Sequence, residues 1–243
     1  MIAILPHRFR NSARALAAVL AFGVAACDDG KREIRELKTE VQQAYGSKNF
    51  KKGIELSQQG LKLSRDALGD KAPDTLYFVQ AISENTLATG NVRGGITAMK
   101  QEIAMRSAAG QDEKRLQGRR TLLIQLAEEN GDKLTAADQA VEVSRGIAMA
   151  RGKDPQPVYR APTAYPPDLF QQKIEGDVDI GYSLDQNGVV TDARVVSSTP
   201  ARVFDQVALD SFKKWRFTPM LDSKGQPISG SGFRFTLAFR LGR

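Results

Sequence analysis

The residue types that most often carry enzyme chemistry are scarce in this chain. Its 243 residues include one histidine, His7, and one cysteine, Cys27. These counts exclude a Cys/His zinc site, a disulfide framework and a Ser/His or Cys/His nucleophile pair in the rest of the chain. Asp177 and Asp179 lie on the polar face of a predicted strand, which favours solvent exposure over a general acid. Because phosphate-loop and dinucleotide fingerprints are also absent, we expect no enzyme activity, no metal and no cofactor.

The N-terminal residues have the pattern of an export signal. Residues 1–14 carry three arginines and no acid, and an uncharged run of small and apolar residues follows from Ala15 to Ala26. This order is typical of the charged and apolar regions of a signal peptide. Twelve helical residues rise about 18 Å, well short of the roughly 30 Å of bilayer hydrocarbon. We therefore expect a signal peptide over residues 1–26 rather than a transmembrane span.

The only cysteine stands where this signal ends. Val24-Ala25-Ala26-Cys27 resembles the lipobox of bacterial lipoproteins. The resemblance implies cleavage before Cys27, lipidation of its thiol and a lipid anchor in a membrane. Asp28 and Asp29 follow, which in enterobacterial lipoproteins implies retention at the periplasmic face of the inner membrane rather than the outer membrane. Ordinary signal cleavage with an incidental Cys27 is the alternative.

The net charge does not indicate a nucleic-acid partner. Lys and Arg exceed Asp and Glu by seven over the whole chain, and removal of residues 1–26 lowers the excess to four. The densest basic cluster, Arg115, Arg119 and Arg120, is flanked by Asp112 and Glu113. No aromatic or glycine-rich pattern accompanies it, so we interpret it as a solvated helix face and expect no nucleic-acid binding.

Residues 31–153 are predicted to form a helical domain with an internal period. Few prolines occur there, and apolar residues recur at spacings of three and four. Gly69, Gly110 and Gly152 are spaced by 41 and 42 residues, where each would close the second helix of a hairpin. A helical hairpin repeated with such a period resembles the tetratricopeptide repeat family in its longer, kinesin-light-chain-like form, which implies stacked hairpins with a protein-binding surface. A plain helical bundle is the alternative.

The residues after this segment change from helical to strand periodicity. Five of the ten prolines lie from Pro155 to Pro167, which indicates a linker, placed at 154–164. Apolar and polar residues then alternate from Ile174 to Leu184, and a turn signal follows at Asn187-Gly188. A second strand to Ser198, a one-sided helix over 201–215 and a last strand over 233–241 complete a predicted ββαβ domain at 165–243. The predicted fold class is α+β, an all-α repeat domain followed by this small domain.

The order of motifs in this last domain resembles the TonB C-terminal domain family. The matching motifs are Tyr165-Pro166, Ile174-Glu175-Gly176-Asp177-Val178, Asp185-Gln186-Asn187-Gly188-Val189-Val190, Arg194-Val195-Val196-Ser197-Ser198, Phe204-Asp205, Ala208-Leu209, Lys214-Trp215-Arg216-Phe217-Thr218-Pro219 and the final Phe-x-Phe strand. The resemblance covers about a third of the chain. It implies a periplasmic protein that binds an extended segment of a TonB-dependent outer-membrane receptor, or of another envelope protein, by strand addition.

The resemblance also implies which residues bind the partner. They comprise the approach residue Tyr165 and the last strand with the residue after it: Phe233, Arg234, Phe235, Thr236, Leu237, Ala238, Phe239 and Arg240. Trp215 and Phe217 are expected in the core. The chain lacks the transmembrane helix and long charged spacer of force-transducing family members, which puts force transduction in doubt. The alternative function is a structural envelope scaffold with no role in transport, in which the sheet edge forms a homodimer.

Overall fold

The structure, a computed structural model, describes residues 12–148 and 155–241, with side chains from Asp29 to Gly146 and from Pro155 to Leu241. The chain divides into two compact units between Ala109 and Gly110. Helices come first and a small sheet follows, so the predicted α+β class is confirmed. Within the described ranges, no helix combines the length and the apolar character needed to cross a membrane.

The first unit consists of antiparallel helical hairpins. Its helices are α1 (Ser12–Gly46), α2 (Phe50–Leu68), α3 (Pro73–Ala88) and α4 (Val92–Ala108). Asn49 and Asn91 cap α2 and α4, each through a side-chain oxygen that accepts a backbone N–H of the first turn. Gly69 and Gly110 have the positive φ angles predicted for the helix ends, 86° and 73°. The third such position, Gly152, lies outside the described residues.

Close packing between α2 and α3 forms the centre of this unit. Phe78 is fully buried. A Cβ atom on Gly60 would lie only 2.2 Å from the Phe78 ring, so the glycine allows the two helices to approach. Between α3 and α4, buried Glu102 accepts a hydrogen bond from Ser83 Oγ at 2.8 Å and pairs with Arg106 Nε at 3.0 Å. These bonds satisfy a carboxylate that would be costly to bury unpaired.

The second unit begins with a third helical hairpin and continues through the sheet. Its elements are α5 (Glu113–Glu129), α6 (Lys133–Ala148), β1 (Pro157–Tyr159), α7 (Pro167–Gln171), β2 (Gly176–Leu184), β3 (Val190–Thr199), α8 (Asp205–Phe212), β4 (Arg216–Phe217), β5 (Met220–Leu221), β6 (Pro227–Ile228) and β7 (Gly230–Phe239). Asp132 Oδ1 accepts the N–H of Thr135 at 3.1 Å and repeats the cap seen at Asn49 and Asn91. The hairpin thus keeps the repeat pattern but belongs by its contacts to the unit that contains the sheet.

A three-stranded antiparallel sheet with order β3–β2–β7 is the frame of the C-terminal domain. The predicted turn after β2 is confirmed, because Gly188 has a φ of 74° and donates its N–H to Asp185 O at 3.0 Å. The irregular alternation of β3 reflects breaks in its register with β2, after Asp179 and after Gly181. Such breaks, as at a β-bulge, locally disrupt the ladder between two antiparallel strands.

One face of this sheet carries an aromatic core under α8. Phe204, Phe212 and Phe217 are fully buried, and Trp215 is 5% exposed, so its predicted place in the core is confirmed. The helix is shorter than the predicted span of 201–215. Arg202 has a positive φ of 66°, which a right-handed helix cannot contain, and the chain leaves the helix for β4 soon after Phe212.

The proline-rich segment predicted as a linker carries structure of its own. β1 pairs with β4, and Ala161 is buried in the core of the sheet domain. The N–H of Thr218 donates to Gln156 O at 2.8 Å, and the N–H of Gln156 donates to Thr218 Oγ1 at the same distance. Part of the segment 154–164 therefore packs as a layer on the sheet domain. The predicted domain boundaries themselves stay a prediction.

Candidate functional site

The outer edge of β7 is open in the described part of the chain. β7 pairs with β2 from Phe239 opposite Gly176 to Gly230 opposite Leu184, and none of the other described strands pairs with its other side. In an antiparallel ladder, alternate residues exchange hydrogen bonds with one neighbour and direct their remaining N–H and C=O groups to the opposite side. The edge can therefore accept an added strand through its main chain.

The structure places the predicted residues of the last strand on two faces. Those directed at the core are half-buried or buried, namely Phe233, Phe235, Leu237 and Phe239. Those on the outer face are exposed, namely Arg234, Thr236, Ala238 and, just beyond the strand, Arg240. Arg240 Nη2 pairs with Asp177 Oδ1 at 2.6 Å and its Nη1 donates to Gly176 O at 2.7 Å. Arg240 thus fastens the end of β7 to β2.

On the same outer face, Asp179 joins all three strands of the sheet. Its carboxylate accepts hydrogen bonds from Thr236 Oγ1 of β7 at 2.6 Å and from Ser197 Oγ of β3 at 2.7 Å. These two hydrogen bonds, first that of Thr236 and then that of Ser197, lower the pKa of the Asp179 carboxyl. They favour the ionised form because a carboxylate is the better acceptor.

Tyr165 lies at the end of the edge strand, where the approach segment, residues 160–165, meets the core. Its ring contacts Phe204 and Phe239 edge-on, at 5.6 and 5.9 Å between ring centroids. Its hydroxyl donates to the carbonyl oxygen of Ile174. The structure therefore brings Tyr165 and the predicted strand together, and Tyr165 is anchored rather than freely presented.

A groove of about 560 Å³ runs beside β7. The approach segment supplies the wall that faces the strand, and Trp215 also lines the groove. The lining residues are Arg160, Ala161, Pro162, Thr163, Tyr165, Trp215, Phe235, Thr236, Leu237, Ala238, Phe239 and Arg240. The indole N–H of Trp215 donates to Ala161 O at 3.3 Å, and the Arg160 guanidinium lies 5.2 Å from the Trp215 ring. The groove thus combines aromatic side chains with the main chain of an edge strand.

Sequence reasoning missed the residues of the opposite wall. Arg160, Ala161, Pro162 and Thr163 fall in the segment predicted as a linker, because its proline content dominates any local pattern. Trp215 was assigned to the core alone, although its ring also lines the groove. No local pattern in this segment marks the wall, because the burial of Ala161 depends on tertiary packing that composition does not reveal.

Two further features concern other parts of the chain. The predicted lipidation site, Cys27, lies outside the residues whose side chains are described. In the first unit, residues of α1 and α3 line an open pocket of about 370 Å³, with Tyr45, Tyr77 and Glu84 among them. Among the described residues, no group of three or more His, Cys, Asp or Glu side chains is arranged to hold a metal.

Comparison with known proteins concerns mainly the C-terminal domain. The family model for the Gram-negative bacterial TonB protein C-terminal matches residues 161–241. Protein TonB of Yersinia enterocolitica is 27% identical over 97 residues, which are 40% of this chain and 34% of the relative. The chain thus spans about a third of that relative's length.

Two solved structures are similar to different parts of the chain. The solution NMR structure of the Pseudomonas aeruginosa TonB CTD is 26% identical and has a TM-score of 0.33, with 39% of this chain and 93% of that chain covered. The crystal structure of nearly identical TPR-like repeats from Podosopora anserina is 14% identical and has a TM-score of 0.39, with 58% and 62% covered. The tetratricopeptide-like character of the helices stays a prediction.

The family match, the TonB relative and the ββαβ order of β2, β3, α8 and β7 agree. The resemblance predicted from the motifs is confirmed. Residues 161–241 form a domain of the TonB C-terminal family.

Proposed function

We propose that this chain is a TonB-like periplasmic protein in TonB-dependent transport across the outer membrane. In this proposal its C-terminal domain binds an extended segment of an outer-membrane receptor, or of another envelope protein, by adding it as a strand alongside β7. The observation that carries the proposal is the open edge of β7 with a groove beside it.

The dimensions of the groove indicate the length of the bound segment. The part of β7 and its end that lines the groove runs from Phe235 to Arg240. At about 3.3 Å per residue, six extended residues span roughly 20 Å. The ligand is therefore a short extended segment, with main-chain hydrogen bonds to β7 and side chains against Trp215 and the wall at 160–163.

We propose that the protein is held at the periplasmic face of the inner membrane by a lipid on Cys27. Mass spectrometry of the native N-terminus tests this anchor directly. A diacyl or triacyl mass on Cys27, which a Cys27→Ser variant lacks, supports it. An intact Met1 contradicts it.

The binding proposal is tested by titration with synthetic peptides that carry the TonB box of outer-membrane receptors. Trp215 is the only tryptophan of the chain and lines the groove, so its fluorescence reports on occupancy. Two modified peptides serve as matched controls, one with N-methyl groups on odd residues and one on even residues. Only alternate N–H groups of an added strand face β7, so one set abolishes binding and the other leaves it nearly unchanged.

Equal effects of the two methylated sets would contradict strand addition. Failure of every peptide to bind would favour the scaffold function, in which β7 of one copy pairs with β7 of another. Sedimentation of the purified chain separates these outcomes, because a scaffold that uses this edge is a stable dimer in which the edge is already occupied.

A further inference from the structure

The third helical hairpin, α5–α6, contacts the elements that form the wall of the groove. We infer that this hairpin positions that wall and that Glu128 and Arg216 are the positioning pair. The role in ligand binding rests on the function proposed above, whereas the positioning of the wall does not. The family match begins at residue 161, so the hairpin that positions the wall lies outside the matched residues.

The first contact is apolar and involves β1. Val158 and Tyr159 pack against the core between α5 and α6, which consists of Ile124, Ala127, Ala136, Ala140 and Val143. Residues 160–163 follow directly and line the groove. Because Arg160 directly follows Tyr159, one short segment both contacts the hairpin and lines the groove.

The second contact is a buried ion pair with β4. Arg216 Nε pairs with Glu128 Oε1, and both residues are more than nine-tenths buried. Arg216 Nη1 also donates to Asn187 O at 2.6 Å, in the turn between β2 and β3. A buried charge that loses its partner is strongly unfavourable, so each member requires the other in place. The residue before Arg216 is Trp215, which lines the groove.

Further polar contacts of α6 hold the chain after β4. Ser144 Oγ donates to Pro219 O at 2.7 Å in a buried position, and Arg145 Nε donates to Gly225 O at 3.3 Å. Thr218 directly precedes Pro219 and is hydrogen-bonded to Gln156 in both directions. The wall segment is therefore fixed on one side by the hairpin and on the other by the sheet domain.

Hydrogen–deuterium exchange of the full chain, followed by mass spectrometry, tests the inference without any ligand. In Glu128→Gln, where the partner of Arg216 is no longer charged, we expect exchange at 156–165 to rise about tenfold. Exchange at 176–184, in the centre of the sheet, stays the same. Lys133→Met is the matched control, because Lys133 also pairs with Glu128 but is exposed. We expect exchange at 156–165 to be unchanged in this variant. The double variant Glu128→Leu/Arg216→Met removes both buried charges, and its exchange rate at 156–165 returns towards that of the wild type.

Three results would overturn the inference. The first is unchanged exchange at 156–165 in Glu128→Gln. The second is an equal rise at 156–165 and 176–184, because the pair would then only support the whole domain. The third is a double variant that exchanges as fast as Glu128→Gln.

Exchange measured with a bound peptide distinguishes a pair that positions the wall from a pair with a merely structural role. In the wild type, a bound TonB-box peptide slows exchange at 156–165 and also at 124–136 in the hairpin. In Glu128→Gln the first effect remains and the second is lost. If the bound peptide slows exchange at 156–165 of the wild type but not at 124–136, the wall is not coupled to the hairpin and the inference is refuted. Failure of the peptide to bind refutes the proposed function and leaves the ligand-free result standing.

Discussion

Replacement of Phe204 by alanine tests whether the aromatic cluster at the end of β7 stabilises the C-terminal unit. Phe204 is fully buried, its ring stacks on Phe239 at 4.2 Å, and Tyr165 contacts both rings. The cluster thus joins the approach segment, the residue before α8 and the last strand. Removal of the ring leaves a cavity in contact with all three.

The expected loss follows from this burial. Truncation of a fully buried phenylalanine costs about 3–5 kcal/mol, and each lost aromatic pair adds about 0.5–1.5 kcal/mol to the transfer term. Because the site is fully enclosed and two rings lose a partner, we expect a loss of about 4 kcal/mol in the free energy of unfolding of the second unit. Phe204→Leu keeps most of the volume and costs about 1.5 kcal/mol.

Urea unfolding followed by the fluorescence of Trp215 measures this loss, because the only tryptophan of the chain reports on the second unit. The matched control is Phe170→Ala. Phe170 also contacts Tyr165, at 5.9 Å, but is 58% exposed, so its truncation costs less than about 0.5 kcal/mol. A loss below about 1 kcal/mol for Phe204→Ala, or equal losses for the two variants, would refute the assignment of the cluster as a stabilising core.

Two further predictions concern other parts of the chain. Gly60→Ala places a methyl group against the Phe78 ring and destabilises the first unit by about 1–3 kcal/mol in far-UV circular dichroism melts, whereas Gly118→Ala, with open space around it on α5, is neutral or stabilising. An unchanged melting temperature for Gly60→Ala would contradict the close helix contact. The pKa of Asp179 is lower in the folded protein than in the unfolded chain. Its ionised form therefore stabilises the sheet at pH values above the unfolded pKa, and this stabilisation is lost as pH falls through the folded pKa. Asp179→Asn therefore shows a smaller loss of stability than the wild type in urea titrations below about pH 4, and identical pH profiles would contradict a stabilising role of the two hydrogen bonds to Asp179.

The elements with a local pattern could be predicted from the sequence. The alternation along β2 and β7 gave the correct faces because one side of each strand is buried, and Asn187-Gly188 marked a turn that needs a positive φ. The spacing of Gly69 and Gly110 marked the ends of helical hairpins, because a helix end that needs a positive φ favours glycine and this requirement is local.

The docking of the third hairpin on β1 and β4 could not be predicted in this way. Glu128 and Arg216 are 88 residues apart, and each has the appearance of an ordinary surface charge within its own segment. Val158 and Tyr159 are only two apolar residues among prolines, too few to show a strand period. The candidate site was therefore half predicted: the edge strand came from periodicity and resemblance, whereas the wall opposite it depends on tertiary packing.

The antiparallel ladder between β2 and β7 also determines how the domain resists mechanical load. A segment laid against β7 and pulled along its own axis loads the ladder in shear, so the paired positions from Gly176–Phe239 to Leu184–Gly230 share the strain at once. A pull across the strands would instead peel the pairs apart one after another from an end. With Arg240 fastened to Asp177 and Gly176, peeling from the C-terminal end of β7 must first break an ion pair and a hydrogen bond from the Arg240 side chain to the Gly176 carbonyl oxygen. The edge strand is thus strongest in the direction along which an extended, tethered ligand would be drawn.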